Sequence, residues 1–252
     1  MKYVIFASYG NDSIALIQFA RDRGLKDVAV VYSDTGWAFD SWRTRVARAE
    51  MWVRSLGFKP YRTESEGLLA LAARKKAWPR GGGGRFQFCT QHLKILPALA
   101  WLDEHDPEKD ATCMNGVRRC ESKNRADAPE WVESSEAHGG RELWSPLVRH
   151  DDEDRDALIR KTPFDVLPFK SKECWPCVNA NQKELKILDE NRIAVIEVAE
   201  QQLGVNSRGN PRVMFSPKRH GGAVGIRAVV DHAKRGKKEL IPQVICSSGW
   251  CG

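Results

Sequence analysis

The sequence predicts an α/β protein: a doubly wound, mostly parallel sheet with a helical C-terminal appendage. Three observations carry this. Short apolar runs alternate with amphipathic stretches over residues 1–150, the order in which strands and crossover helices follow one another. Val28-Ala29-Val30-Val31-Tyr32 is apolar without interruption, as in a strand covered on both faces. From Asp151 onward the extended runs give way to helical patterns and four of the seven cysteines. The expected division is an α/β domain over residues 1–150 and a helical, cysteine-bearing region over residues 151–252.

The elements follow in order. Residues 2–8 read as a short buried strand, and a glycine-containing turn leads into a helix over residues 12–23. Ile14, Leu16, Ile17 and Ala20 form its apolar side and Gly24 stops it. Val28 opens the second strand, and Asp34-Thr35-Gly36 forms the loop at its end. A helix over residues 40–56 places Trp42, Val46, Ala49 and Val53 at helical spacing. A third strand spans residues 59–63 and a helix residues 66–77. Gly81 to Gly84 are four consecutive glycines; each costs about 1 kcal/mol relative to alanine inside a helix, so a mobile loop is expected. Thr90 caps a helix to residue 104, residues 111–116 form a strand, 117–142 are irregular and 143–147 extended. Beyond them come a short helix at 154–161, helical stretches from Cys177 to Leu203, a loop over 205–222 and a helix over 223–233.

Right-handed crossovers bring the loops after the strands to one edge of such a sheet. The turn Ser8-Tyr9-Gly10-Asn11-Asp12-Ser13 lies at that edge, between a strand and a helix. The first amides of a helix have no internal partner and the helix dipole favours negative charge there, so this is a candidate anion site. Gly10 allows close approach, and the Ser8 and Ser13 hydroxyls add donors. The competing reading is an ordinary helix N-cap.

Composition agrees with a folded chain and an anionic ligand. Hydrophobic residues make up 42% and charged residues 29%, with a formal net charge of +7. This excludes a disordered chain and favours nucleotides, sulfate esters or nucleic acid as partners. No stretch approaches the ~20 apolar residues of a membrane helix, and Tyr3 to Ala7 is too short for a secretory core. A cytoplasmic protein without membrane contact is expected, in which cysteines serve metals, clusters or catalysis rather than disulfides.

Five segments in order resemble the phosphoadenosine phosphosulfate (PAPS) reductase family of the adenine nucleotide α-hydrolase-like, or PP-loop, superfamily. Ser8 to Ser13 is similar to the S-G-G-x-D-S pyrophosphate loop, with Tyr9 in place of a glycine. Asp34-Thr35-Gly36 matches a D-T-G element beside the nucleotide. Cys89-Thr90-Gln91-His92-Leu93-Lys94-Ile95-Leu96-Pro97 resembles C-T-x-x-L-K-x-x-P. Gly116-Val117-Arg118-Arg119-Cys120-Glu121-Ser122-Lys123-Asn124-Arg125 resembles G-x-R-x-x-E-S-x-x-R, and Trp144-Ser145-Pro146-Leu147 resembles W-x-P-L.

The resemblance implies a PP-loop nucleotide-binding domain over residues 1–150 that holds ATP or a PAPS-like adenine nucleotide. Ser8, Tyr9, Gly10, Asn11, Asp12, Ser13, Asp34, Thr35, Gly36 and Arg125 would bind it. Lys94 would reach a phosphate, and Arg118 and Arg125 would clamp charge with bidentate hydrogen bonds. Retention of Asp12-Ser13 favours ATP with Mg²⁺: adenylation of a substrate, pyrophosphate release, then displacement of AMP by a sulfur donor. The alternative is thiol-dependent reduction of a sulfonucleotide, with Cys251 or Cys89 attacking sulfur and a thioredoxin-like reductant restoring the thiol. A third reading is a non-catalytic nucleotide-binding partner subunit. Nucleic acid is a further candidate substrate.

Cys174-x-x-Cys177 is a compact chelating pair, and Cys246 and Cys251 form a second. Together they can supply four thiolates to a [4Fe–4S] cluster or, as runner-up, to zinc; uncoordinated thiols are the third reading. Several relatives that move sulfur hold a four-iron cluster. PAPS reductases carry a catalytic cysteine in a C-terminal E-C-G-x-H motif, and here Gly249-Trp250-Cys251-Gly252 lacks the glutamate and histidine. Cys89 reads as ligand, nucleophile or buried small hydrophobe; Cys113 and Cys120 read as structural. His92, His150, His220 and His232 fit no ligand spacing. Trp37 and Trp78 lie near crevice loops, where they could stack an adenine or simply fill core.

Overall fold

The computed structural model describes residues 1–81 and 86–236; most of the glycine run, and Cys246 and Cys251 with the tail, lie outside the described residues. The elements are β1 (Tyr3–Phe6), α1 (Asn11–Asp22), β2 (Val28–Asp34), α2 (Asp40–Ser55), β3 (Lys59–Glu64), α3 (Leu68–Lys75) and α4 (Phe88–Thr90). A π-helical turn, Gln91–Ile95, joins α4 to α5 (Leu96–His105). β4 (Thr112–Met114), β5 (Trp131–Ser135), β6 (Arg141–Trp144), α6 (Asp152–Ile159), α7 (Gln182–Lys186), α8 (Glu190–Leu203) and α9 (Ile226–Lys234) complete the order.

The chain divides into two compact units, and the division is discontinuous in sequence. The described part of the first unit is residues 1–65 and 90–175. That of the second is 66–81, 86–89 and 176–236.

The first unit is built on one six-stranded sheet in the order β3-β2-β1-β4-β6-β5. Every pairing is parallel except β5 with β6, so the fold is the doubly wound α/β type. Its apolar strands alternate faces with the two-residue period of a pleat. Ile5, Val30, Tyr32 and Met114 pack with Ile14, Ile17, Trp42 and Val46 of α1 and α2. Val4, Ala29, Val31 and Cys113 pack with Trp101 and Leu102 of α5. Both faces are covered, which is why the strands read as uninterrupted apolar runs. α6 packs beside α1.

Three elements depart from the sequence expectation. β5 lies within the stretch expected to be irregular. It is an edge strand with exposed polar positions, and of its five residues only Val132 and Ser135 are partly buried, so it lacks an apolar signature. Thr90 sits inside the helical run, which starts at Phe88, instead of capping it. The π turn just ahead of Pro97 has a local cause: proline has no N–H for the carbonyl four residues back and its ring crowds that carbonyl.

Arg141, at the start of β6, is fully buried. Its Nε donates to Asp106 Oδ2 at 2.6 Å, and Nη2 donates to the carbonyls of Leu102 (3.1 Å) and Asp106 (2.6 Å). It adds a second donor to carbonyls at the end of α5 that already accept the Asp106 and Lys109 amides.

The second unit is helical. α9 buries Ile226, Val229, Val230 and Ala233, the i, i+3, i+4, i+7 stripe of an amphipathic helix. Glu200 of α8 is buried and accepts the Met214 and Ile226 amides at 2.9 Å each. It caps the N-terminus of α9, where a carboxylate also meets the helix dipole favourably.

Candidate functional site

The strand order reverses at β1. The chain steps outward to β2 and β3, then returns to β4 on the other side. The carboxyl end of β1 is therefore a topological switch point, where ligands of open α/β sheets bind.

The turn after β1 is tightly held. Tyr9 takes a left-handed conformation, φ 59°, which costs a non-glycine residue roughly 1–2 kcal/mol. The side chain offsets this: it is completely buried and stacks on Tyr32 with centroids 5.8 Å apart. Its hydroxyl is buried without a hydrogen-bond partner among the described residues, and burial raises its pKa. Trp42 Nε1 donates to the Ser8 carbonyl at 3.1 Å and Arg45 Nε to the Tyr9 carbonyl at 2.8 Å. The Gly10 carbonyl accepts from Ile14 N (3.0 Å) and Ser13 Oγ (3.2 Å). Three successive carbonyls are thus occupied, while no side chain caps α1. That leaves the helix N-terminus as a donor surface for an anion.

The predicted nucleotide residues separate into two groups. Ser8, Ser13, Lys94, Gly116 and Arg125 line one small cleft, together with Glu173. Ser8 Oγ accepts from Gly10 N at 3.2 Å and lies 3.5 Å from Ser13 Oγ. Lys94 is buried and ion-paired with buried Glu173, and buried Arg125 is ion-paired with Glu121.

The other group positions the turn. The Asn11 side chain donates to Leu167 O and accepts from Leu167 N, each at 2.9 Å. Asp12 accepts from Arg118 Nε at 2.8 Å, and Arg118 Nη2 lies 3.0 Å from Asp152. Arg118 is 2% exposed, with its guanidinium held between two carboxylates. Burial works against its positive charge, but Asp12, together with Cys120 and Glu121, outweighs it and the pKa is raised.

Asp34-Thr35-Gly36 forms a compact turn. Gly36 N donates to Asp34 Oδ1 at 2.9 Å, and buried Thr35 Oγ1 donates to the Glu173 carbonyl at 2.8 Å. Trp37 accepts the Trp175 amide at 2.8 Å. The loop after β2 thus carries the 173–175 segment, which brings the Glu173 carboxylate to Lys94. Glu173 was not singled out in the sequence; its signal, one acidic residue beside a cysteine pair, is too slight to find alone.

Cys174 and Cys177 are half-buried, and Asn179 N donates to Cys177 Sγ at 3.5 Å. Among the described residues no group of three or more His, Cys, Asp or Glu is arranged to hold a metal ion. A four-thiolate set would need Cys246 and Cys251, which lie outside those residues. Cys89 is half-buried and its thiol donates to Gln87 O at 3.9 Å. Burial pushes the Cys113 thiol up to about 12, so it stays protonated. Cys120 donates to His150 O at 3.4 Å and accepts from Arg118 Nη1 at 3.0 Å. Trp37 and Trp78 are both buried.

Residues 2–177 match the family described as the phosphoadenosine phosphosulfate reductase domain. The chain belongs to that family. As a PAPS reductase-family protein it is similar to an uncharacterized 37.8 kDa protein from the gpa 5′ region of Escherichia phage 186. The two are 30% identical over 40% of this chain and 34% of that protein, so the match spans about a third of the relative. It is also similar to a crystal structure of phosphoadenylyl-sulfate (PAPS) reductase from Candida auris in complex with phosphate. That similarity has a TM-score of 0.47 and 15% identity, covering 66% of this chain and 76% of the other. No described helix of this family member is long and apolar enough to cross a membrane.

Proposed function

We propose that the chain binds an adenine nucleotide at the Ser8–Ser13 turn and uses ATP to adenylate a substrate that then accepts sulfur, with release of pyrophosphate. One observation carries the reading: Ser8, Ser13, Lys94 and Arg125 line the same cleft at the switch point, beside an α1 N-terminus that no side chain caps.

The chemistry follows from these groups. Hydroxyls and helix amides bind the phosphate chain, and Lys94 and Arg125 balance the charge that grows on the leaving pyrophosphate. Both cations are already paired with carboxylates, so phosphate competes with Glu173 and Glu121 for them. Arg118 acts through Asp12 as a positioning residue. Mg²⁺ accompanies a triphosphate. A [4Fe–4S] cluster or zinc on Cys174, Cys177, Cys246 and Cys251 would hold or deliver sulfur, and no step above depends on it.

The test is pyrophosphate release from ATP, assayed anaerobically with and without a sulfur donor and with candidate acceptors. Nucleotide-dependent release that disappears in Lys94→Ala supports the reading; nucleotide binding without release contradicts it. Family membership favours a second reading, reduction of a sulfonucleotide, which sulfite release from PAPS with a thiol reductant would reveal.

A further inference from the structure

The second unit contains a cleft of about 1060 Å³ whose lining is drawn entirely from that unit. Six cations line it: Lys76, Arg80, Arg208, Arg212, Lys218 and Arg219. None of its lining residues is acidic. Among the described residues none of the six is ion-paired, whereas Lys94, Arg118, Arg125 and Arg141 of the first unit all are. A concentration of unneutralised cations on a concave wall raises the local density of anions.

The cleft is also built, not merely charged. Asn206 Oδ1 accepts the Arg208 and Asn210 amides at 2.8 and 3.1 Å, and Val205 bridges Pro211, so the loop that presents Arg208 is fixed. Arg212 Nη1 is anchored on the Leu203 carbonyl at 2.7 Å. Two further lining groups, Trp78 Nε1 and His220 Nδ1, are buried with no hydrogen-bond partner among the described residues; Trp78 is 5% and His220 3% exposed. Buried polar atoms in a native fold are nearly always satisfied, so these two point to a ligand. Asn210 adds an amide able both to donate and to accept, while the Asn179 and Asn181 side chains are engaged with Gln87 and the Glu184 amide.

We propose that this cleft binds single-stranded nucleic acid. Six cations spread along a wall suit a repeating phosphate backbone better than one small anion, and the Asn210 amide suits a base edge. A duplex is read by elements that insert into its grooves, and a concavity offers no such element. The proposal stands apart from the nucleotide reading, since no residue of the Ser8–Ser13 cleft takes part.

The test is fluorescence anisotropy of the full chain with a labelled mixed-sequence strand of about 12 nucleotides, in deoxy and ribo forms. Titrations at several salt concentrations between about 50 and 200 mM give the number of phosphate contacts. Binding of either strand is expected, with affinity falling steeply as salt rises. The double variant Arg208→Gln, Lys218→Gln changes two exposed side chains. It should bind about tenfold more weakly, with a salt slope smaller by about 1.4, at about 0.7 per phosphate contact. Its circular dichroism and its affinity for ATP should be unchanged. The proposal is overturned by no binding of either strand at about 50 mM salt, by equal binding to the double variant, by an equally tight duplex, or by displacement with equimolar inorganic pyrophosphate.

Discussion

A Cβ placed on Gly116 would lie 3.1 Å from the carbonyl oxygen of Asp12 and 3.2 Å from its carbonyl carbon and Cβ. The loop after β4 therefore rests directly on the first turn of α1. Both contacts to the Asp12 main chain are with backbone, which cannot rotate aside as a side chain would. Gly116→Ala should push the first turn of α1 out of place. Overpacking of this kind costs about 1–3 kcal/mol, and nucleotide affinity should fall by more than the loss of stability alone implies. Thermal melting alongside nucleotide titration separates the two effects; unchanged affinity would remove the loop from the binding argument.

Lys94 and Glu173 are expected to have opposite effects on anion binding. Lys94→Met removes a cation from the cleft and should weaken nucleotide binding by at least about tenfold, or about 1.4 kcal/mol. Glu173→Gln removes a carboxylate that competes with phosphate for Lys94, so affinity should rise. The same change leaves the buried Lys94 charge without its carboxylate, so unliganded stability should fall. Calorimetric titration of both variants checks the signs; weaker binding in both would mean that the pair acts as one structural unit.

Arg141 is the most heavily bonded buried charge in the sheet unit. Arg141→Met keeps the bulk but leaves the buried Asp106 carboxylate without its cation, held by the Asp110 and Ala111 amides alone. Removing one partner of a buried ion pair costs about 3–5 kcal/mol. A denaturant titration should show the unfolding free energy reduced by that amount, with a lower midpoint. A loss under about 1 kcal/mol would mean that water replaces the guanidinium.

His138 gives the fold a specific acid sensitivity. Burial, with Arg141 nearby, lowers its pKa from 6.5 to about 4. The unfolded chain therefore binds a proton between pH 6.5 and 4 that the folded chain refuses. The stability contributed by the neutral ring is fully present above pH 6.5 and is lost as pH falls through that window, by about 3 kcal/mol at most. His138→Gln should flatten the pH dependence of unfolding between pH 7 and 4.5; an unchanged slope would assign the acid sensitivity to other groups.

Much of this architecture is legible in the sequence. β1, its turn and α1 follow one another in a few residues, so local pattern suffices, and the apolar run of β2 reports burial on both faces. Lys94 and Arg125 could be assigned to one edge because chain order and crossover handedness leave few alternatives. What stayed hidden depends on long-range partners. Arg118 reads as a phosphate clamp, yet its guanidinium is taken up by Asp12 and Asp152, far away in sequence. Glu173 reaches Lys94 only because Thr35 and Trp37 bind its neighbourhood. β5 carries no apolar alternation because it is an edge strand. Residues 66–89 look like a continuation of the α/β alternation, and nothing local shows that they pack with helices more than a hundred positions onward.

That last arrangement has a consequence for biosynthesis. The N-terminal segment of the second unit, with α3 and its buried Leu68 and Leu71, leaves the ribosome long before the segment from residue 176 that completes the unit. Until then these leucines have no native cover within their own unit, and contacts of such sequence separation form slowly. Translation halted between residues 89 and 176 should therefore yield nascent chains that chaperones retain, whereas chains released after α9 should escape them.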